Sequence, residues 1–285
     1  MNPAVRRIID RYRVGTISAE IAVMQLLLAL GSAEALRASL DNVGDDVLSR
    51  AARGAAGLDR TAALVAAGLA DERHSLDAIR EQFDRAVAIA PEASVALYSL
   101  NSPEILERAT AEIVTRLDEW RLLGPDASVL DIGCGIGRVA QALAPRVRSV
   151  TGIDVSPGMI EEARRRCADL SNIEFCVGSG RNLADFADRA FDLVLAVDSF
   201  PYLVAADPAI ATRHVADVAR LLSHGGALAI FHYSYRGDLA ADRRDLATLA
   251  TAHSLAIERN GTRDFTLWDA ATFLLRSPTA PRRRG

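Results

Sequence analysis

A short apolar run followed by three alternating glycines constrains the fold of this chain more than any other stretch. Residues 129–132 predict a buried strand, Gly133, Gly135 and Gly137 follow it, and a helical pattern begins at Val139. Glycine permits unusual backbone angles and lets a ligand approach the main chain closely. A strand, a glycine turn and a helix start place backbone amides around a small ligand, so the sequence predicts a binding site at this turn.

The glycine spacing departs from the dinucleotide-binding fingerprint, which has glycines at its first, third and sixth positions. Counted from Gly133, the sixth position is Arg138, and the pattern reads Asp131-x-Gly-x-Gly-x-Gly. A second apolar run, residues 150–153, ends in Asp154, where doubly wound folds place the acid that binds ribose hydroxyls. Together these residues resemble the class I S-adenosylmethionine-dependent methyltransferases.

Strand and helix patterns alternate along the second half of the chain, which indicates βαβ units and a parallel sheet. A polar link at Asn260-Gly261 predicts that the last two strands form an antiparallel pair. The predicted fold is α/β, with a seven-stranded, mostly parallel doubly wound sheet, an antiparallel last strand and an N-terminal all-helical module. The resemblance covers about residues 100–277 and implies the same sheet. The predicted strands are 129–132, 147–153, 173–177, 191–197, 227–232, 255–259 and 271–275.

Residues 1–90 show helical patterns only. Ser18 and Gly31 are the predicted caps of a helix at 19–30. We therefore predict two domains: a helical N-terminal module at 1–90, and a methyltransferase domain at 91–285 that the resemblance implies. The module either covers the acceptor site or forms a dimerisation layer. The other predicted helices begin at Val5 or span 33–40, 58–69 and 75–88.

The composition indicates which classes of partner and which cellular compartment to expect. Half of the residues are apolar and a quarter are charged, which is typical of globular domains. The net charge of −4 and the pI of about 5.8 argue against nucleic acid as the main partner. The three cysteines form no paired motif, so we expect a reducing, cytoplasmic setting. The apolar run at 21–30 is too short to cross a membrane, and the histidines lack metal-ligand spacing.

The resemblance implies S-adenosylmethionine as the cofactor and suggests a role for each site residue. Asp131 and the glycine loop would hold the methionine end, and Asp154 would accept the ribose hydroxyls, although it could instead only cap the following helix. Ser179 stands where many relatives place an aspartate that binds adenine. The predicted cofactor-binding residues are Asp131, Gly133, Cys134, Gly135, Gly137, Asp154, Val155, Met159, Ser179, Gly180 and Asp198.

Polar and aromatic residues follow the fourth and fifth predicted strands, at the edge where open α/β sheets bind ligands. We predict Asp198, His232, Tyr235 and, from a preceding segment, Tyr98 as catalytic residues. His232 could act as a general base near neutral pH or serve only as a structural strand-end residue. Asp198 could bind the cofactor ammonium, orient the acceptor, take its proton or cap the strand.

The predicted function is methyl transfer to an oxygen, nitrogen or sulfur nucleophile of a small molecule by in-line displacement. Amino methyltransferases often carry Asn/Asp-Pro-Pro-Tyr/Phe after the fourth strand, and the Asp-Ser-Phe-Pro at 198–201 departs from that motif. No nucleobase or glutamine acceptor is therefore assigned. The alternatives are a nicotinamide-dependent oxidoreductase, which Arg138 disfavours, and a non-catalytic S-adenosylmethionine-binding protein. A homodimer is an open expectation.

Overall fold

The structure, a computed structural model, describes residues 2–54, 57–68 and 75–280. It divides into two compact units, each built from several stretches of chain. The first unit comprises Met1–Glu72, Glu81–Ile113 and Phe265–Asp269, and the second comprises Arg73–Arg80, Val114–Asp264 and Ala270–Gly285. The division into domains at residues 90 and 91 stays a prediction, because compactness alone does not establish independent folding.

Helices build the first unit, as predicted for its N-terminal part. Ser18 accepts a hydrogen bond from the amide of Ile21, and Gly31 ends the same helix in the left-handed conformation, which confirms both predicted caps. An additional helix at 46–54 was not predicted; the Asp45 carboxylate caps it. The predicted helix at 58–69 ends at Ala66, and Leu69 lies outside the described residues. The helices are α1 Pro3–Arg13, α2 Ala19–Leu30, α3 Ala33–Val43, α4 Asp46–Gly54, α5 Leu58–Ala66, α6 Leu76–Ile89, α7 Pro91–Val95 and α8 Pro103–Glu119, of which α6 and α8 extend into the second unit.

A seven-stranded sheet forms the second unit, in the order β3-β2-β1-β4-β5-β7-β6. β7 pairs antiparallel with both of its neighbours, and the other strand pairs are parallel. This arrangement confirms the predicted fold class. The strands are β1 Ser128–Ile132, β2 Ser149–Asp154, β3 Ile173–Val177, β4 Phe191–Val197, β5 Leu222–Phe231, β6 Ala256–Arg263 and β7 Ala271–Arg276.

Helices connect the parallel strands, and their start signals largely follow the sequence. Ser156 caps the helix after β2, with Pro157 at its first position. A seven-residue helix after β4 was not predicted. The helices are α9 Arg138–Leu143, α10 Pro157–Arg166, α11 Phe200–Ala206, α12 Pro208–Leu221 and α13 Leu239–Ala252.

The link predicted at Asn260-Gly261 is wrong. Both residues lie inside β6, where the register shifts between Asn260 and Thr262 and Gly261 has a φ of +75°. A glycine in the left-handed region lets a strand bulge without turning back. The true link to β7 therefore lies at residues 264–270.

The sheet is covered on both faces, so its central strands are almost wholly apolar. Every residue of β1 is buried, and β4 contains only one residue that is not, Asp192. Its carboxylate accepts hydrogen bonds from the Ser128 amide and the Ser223 hydroxyl, which explains a charge inside an apolar run. Because β1, β2, β4 and β5 are parallel, the residues after them meet at one edge of the sheet.

Within residues 2–54, 57–68 and 75–280, no helix combines the length and the apolar character that a bilayer span requires.

Candidate functional site

The backbone angle favours glycine at all three loop positions, and packing also favours it at two of them. Gly133, Gly135 and Gly137 have φ values of +70°, +53° and +77°. A Cβ at Gly133 would lie 2.3 Å from the Cβ of Ser199, and one at Gly137 would lie 2.8 Å from the ring of Phe175. The loop after β1 therefore contacts the start of the β4–α11 connection on one side and β3 on the other.

Hydrogen bonds from the loop amides fix the loop against the end of β2. The amides of Gly133 and Cys134 both donate to the carbonyl of Ile153, at 2.7 and 3.0 Å. The Gly135 amide donates to Oδ2 of Asp154 at 3.0 Å. These amides hold the loop itself, so what the three residues offer a ligand is close approach to the main chain. Cys134 is buried, and burial raises the pKa of its thiol well above its ordinary value.

Asp131 is a buried carboxylate without a hydrogen-bond donor. It is 1% exposed, and neither carboxylate oxygen has a partner in the described part of the chain. Burial raises its pKa to about 7, with the charge of Arg138 lowering it and that of Asp154 raising it. An unsatisfied buried carboxylate is costly, so this position suits a ligand that brings a positive charge or hydrogen-bond donors.

Asp154 joins the glycine loop to the next helix. Its Oδ1 accepts from the amide of Ser156 at 2.9 Å, and its Oδ2 accepts from Gly135. Ser156 in turn caps α10, so the capping alternative describes part of what Asp154 does. Each oxygen of a carboxylate can accept more than one hydrogen bond, which suits it to ligand hydroxyls. The predicted ribose contact stays a prediction.

Four further predicted cofactor-binding residues lie in three different environments: Val155, Met159, Ser179 and Gly180. Val155 is half-buried, and its Cγ1 lies 2.6 Å from where a Cβ of Gly180 would be. Ser179 is exposed, and its hydroxyl accepts a hydrogen bond from the Arg181 amide at 3.2 Å. Met159 is 1% exposed on α10. The structure thus brings Val155 and Gly180 together and places Met159 in the interior.

Asp198 and His232 stand side by side in a strained backbone conformation. The pairing of Val197 with Phe231 places them at adjacent strand ends. Their φ values are +56° and +73°, which residues other than glycine rarely adopt. The Asp198 amide donates to the Phe231 carbonyl and the His232 amide to that of Ala271, each at 2.9 Å. Such strain costs roughly 1–3 kcal/mol per residue and is concentrated at functional sites.

The side chains of this pair meet two tyrosines. The hydroxyl of Tyr235 donates to Oδ1 of Asp198 at 2.5 Å, and Nδ1 of His232 lies 3.5 Å from the same oxygen. The Tyr235 ring contacts the rings of His232 and Tyr202 edge to face, at 5.0 and 5.7 Å between centroids. We name Asp198, Tyr202, His232 and Tyr235 the Asp198 cluster. It brings together three of the four predicted catalytic residues and adds Tyr202.

Both tyrosines of the Asp198 cluster are kept protonated. Burial and the charge of Asp198 raise the pKa of Tyr202 and of Tyr235 above the ordinary value. Tyr235 as a whole is 52% exposed, so the desolvation concerns its hydroxyl end, which is held by Asp198. These phenols therefore act as hydrogen-bond donors at neutral pH, and the groups able to take a proton are Asp198 and His232.

A buried acid on α13 anchors the segment that follows β5. Asp242 is 5% exposed and accepts from the hydroxyl of Ser234 and from the guanidinium of Arg236, both at 2.7 Å. Arg236 also pairs with Asp245 at 2.7 Å. No local sequence pattern indicates this role, because the acid lies inside a helical pattern. These bonds fix the backbone on which Tyr235 is carried.

Tyr98, the fourth predicted catalytic residue, belongs to the first unit. It is 3% exposed and stacks on Trp268 with 6.1 Å between ring centroids. Its catalytic role stays a prediction. Across the described ranges, no group of three metal-binding side chains is close enough to hold a metal ion.

Comparisons with known proteins match part of this chain to methyltransferases. A family described as "Methyltransferase domain" matches residues 129–226. Aklanonic acid methyltransferase DauC of Streptomyces sp. (strain C5) is 42% identical over 106 residues, which are 35% of this chain and 46% of that protein. The tRNA (uracil-5-)-methyltransferase homolog A of Mus musculus is 32% identical over 121 residues, 42% of this chain and 18% of that protein.

A solved structure shows the same fold. The magnesium protoporphyrin IX methyltransferase of Synechocystis PCC 6803, crystallised with bound SAM, has a TM-score of 0.52 at 17% identity, over 71% of this chain and 96% of that one. The chain spans less than half the length of the two curated relatives named above. The matched family at 129–226, the seven-stranded sheet and the loop from Asp131 to Gly137 lead to one conclusion: this chain carries a class I S-adenosylmethionine-dependent methyltransferase domain.

Proposed function

We propose that the protein transfers a methyl group from S-adenosylmethionine to a small-molecule acceptor. The observation that carries this proposal is Asp131, a buried carboxylate without a donor beside a glycine loop. The methionine end of the cofactor carries an ammonium group, which would supply both the missing charge and the missing hydrogen bonds. The residues present thus fit the group.

The remaining cofactor contacts follow from the same edge of the sheet. Asp154 would accept the ribose hydroxyls, because each carboxylate oxygen can accept more than one hydrogen bond. Val155 and Gly180 would meet the adenine. Bound S-adenosylmethionine supplies an activated methyl group, and the protein binds, orients and excludes water.

The Asp198 cluster is the proposed acceptor end of the site. Asp198 receives the Tyr235 hydroxyl and lies beside His232, so it can orient an acceptor hydroxyl or amine and hold the proton that the acceptor loses. The net charge of −4 and the likeness to a methyltransferase named for aklanonic acid support a small molecule. The tRNA-modifying relative makes transfer to RNA a competing outcome that the assay must include.

Calorimetry and a transfer assay test the proposal. We expect S-adenosylhomocysteine to bind the purified chain and NAD to bind far more weakly, because Arg138 replaces the glycine of the dinucleotide fingerprint. Methyl groups should pass to a pool of phenols, alcohols, amines or thiols and not to tRNA. Comparable NAD affinity would favour the oxidoreductase alternative. Binding without transfer to any pool would favour a non-catalytic cofactor-binding protein.

Asp154→Ala should weaken S-adenosylhomocysteine binding about 10- to 100-fold, because charge-assisted hydrogen bonds to ribose are lost. The variant also frees the amides of Gly135 and Ser156, so Asp154→Asn, which retains an acceptor oxygen, serves as the comparison. Titration calorimetry measures the affinity, and thermal unfolding verifies the fold. Wild-type affinity in a folded Ala variant would show that Asp154 only caps.

Two broader expectations remain proposals. The three cysteines are free thiols, which is consistent with a reducing compartment such as the cytoplasm. We also propose that residues 1–90 act as a cap or as a dimerisation module. Sedimentation of the full chain would distinguish a monomer from a homodimer.

A further inference from the structure

The first turn of α6 belongs to the same compact unit as the sheet. Residues 75–80 are part of the second unit, although most of the described chain before residue 113 belongs to the first. Ser75 caps the helix by accepting from the amide of Ala78 at 3.2 Å. Asp77 and Arg80 form an exposed ion pair on this turn. Leu76 is only half-buried, so it is an aliphatic side chain with part of its surface uncovered.

Leu76 packs on the loop that follows β3. A Cβ at Gly180 would lie 3.2 and 3.5 Å from the two methyl carbons of Leu76, and 2.6 Å from Cγ1 of Val155. Gly180 also has a φ of +68°. Glycine adopts this backbone conformation at little cost, whereas residues with a side chain rarely do. Two half-buried aliphatic side chains therefore converge on one glycine.

This apolar surface lies beside Asp154 in the chain and in the sheet. Val155 is the next residue in the chain, and the Gly178 amide donates to the Asp154 carbonyl at 2.8 Å. Val177 pairs with Asp154 in the sheet and is 52% exposed, so it adds an uncovered apolar side chain at this strand end. A ligand whose ribose reaches Asp154 would place its base on these side chains.

We propose that Leu76 is an adenine-binding residue, contributed by a helix that precedes the matched methyltransferase domain. This inference rests on the proposed function. A purine ring is flat and apolar on its faces, so it gains dispersion and hydrophobic contact from leucine and valine. Leu76 covers one part of the base and Val155 another, and Gly180 keeps the space between backbone and ligand small.

Titration calorimetry with two ligands tests this assignment. Leu76→Ala should weaken S-adenosylhomocysteine and 5′-methylthioadenosine by the same factor, about tenfold, because both ligands carry the base. Asp131→Asn should weaken only S-adenosylhomocysteine, since methylthioadenosine lacks the ammonium. Ile257→Ala is the matched control: it shortens another partly exposed aliphatic side chain, on β6 at the opposite edge of the sheet, and should change neither affinity.

Leu76→Gln guards against a folding artefact, since it keeps the length and helix propensity of the side chain while removing its apolar end. It should also weaken both ligands, with thermal unfolding close to wild type. Wild-type affinity for both ligands in the two Leu76 variants would overturn the inference and leave the proposed function intact. Failure of the wild-type chain to bind S-adenosylhomocysteine would overturn the proposed function together with it.

Discussion

Asp131→Asn should weaken S-adenosylhomocysteine binding about 100-fold or more, because it removes one charge of a buried ion pair and leaves the ligand ammonium unpaired. The same substitution should stabilise the ligand-free protein above pH 7, where a buried carboxylate without donors is removed. Few single substitutions combine a large loss of affinity with a gain in stability. Calorimetry and chemical unfolding at pH 8 measure both effects.

The sign of the stability effect follows from the pKa. Burial raises the pKa of Asp131 from an ordinary 3.8 to about 7, so the folded chain binds the proton more tightly than the unfolded chain. Stability from this group is therefore present below pH 3.8 and is lost as the pH rises to about 7. Above pH 7 the ionised Asp131 lowers the free energy of unfolding by the full amount, roughly 4 kcal/mol. The asparagine variant should lack this pH dependence.

Ligand affinity should depend on pH in the opposite direction. The ammonium needs the ionised carboxylate, so the wild-type affinity for S-adenosylhomocysteine should fall about tenfold for each pH unit below the Asp131 pKa. The Asp131→Asn variant should show a flat profile between pH 5 and 7. If the Asp131→Asn variant instead shows a steep pH profile, or binds with wild-type affinity at pH 8, then Asp131 does not pair with the ligand ammonium.

Asp198→Asn should lower kcat by about 100- to 10,000-fold, the range typical of a lost general acid–base group. The substitution removes the charge between Tyr235 and His232 but keeps a residue that tolerates the left-handed backbone at φ +56°. Affinity for S-adenosylhomocysteine should stay within about threefold of wild type. Steady-state kinetics with the acceptor identified in the transfer assay measure kcat.

Two further substitutions separate the roles open to Asp198. Tyr235→Phe removes the hydroxyl that bonds to Asp198 and to Tyr202, and it should cost about tenfold in kcat. Asp198→Gly relieves the backbone strain, so it should stabilise the fold while abolishing transfer. If Asp198 instead holds the cofactor ammonium, the asparagine variant loses S-adenosylhomocysteine affinity. An unchanged kcat in Asp198→Asn would leave Asp198 only a strand-end role.

Much of the fold could be predicted from the sequence, because apolar periodicity and caps act locally. The predicted strands at 173–177 and 191–197 match β3 and β4 at both ends. The start of β5 was predicted five residues late, since the stretch before Ala227 contains two glycines and polar residues. The bulge in β6 could not be predicted from its sequence, because Asn260-Gly261 is equally typical of a turn.

The location of the candidate site was predictable, whereas its contacts were not. Parallel strands place their carboxyl ends together, so Asp131, Asp154 and Asp198 were expected at one edge. The bond from Tyr235 to Asp198 depends on the path of the segment after β5. That path depends on the buried Asp242, which no local pattern indicates. The contact of Leu76 with the loop after β3 requires tertiary structure in the same way.

The position of β7 in the sheet affects folding during synthesis of the chain. β7 lies between β5 and β6 but follows both in the sequence. During synthesis from the N-terminus, β5 therefore has an unpaired edge until β7 is made. The last five residues of β5 are fully buried in the folded protein. Exposed apolar edges pair readily with other chains. The protein is therefore most vulnerable to aggregation on the ribosome in the interval before residues 271–276 emerge and close the sheet.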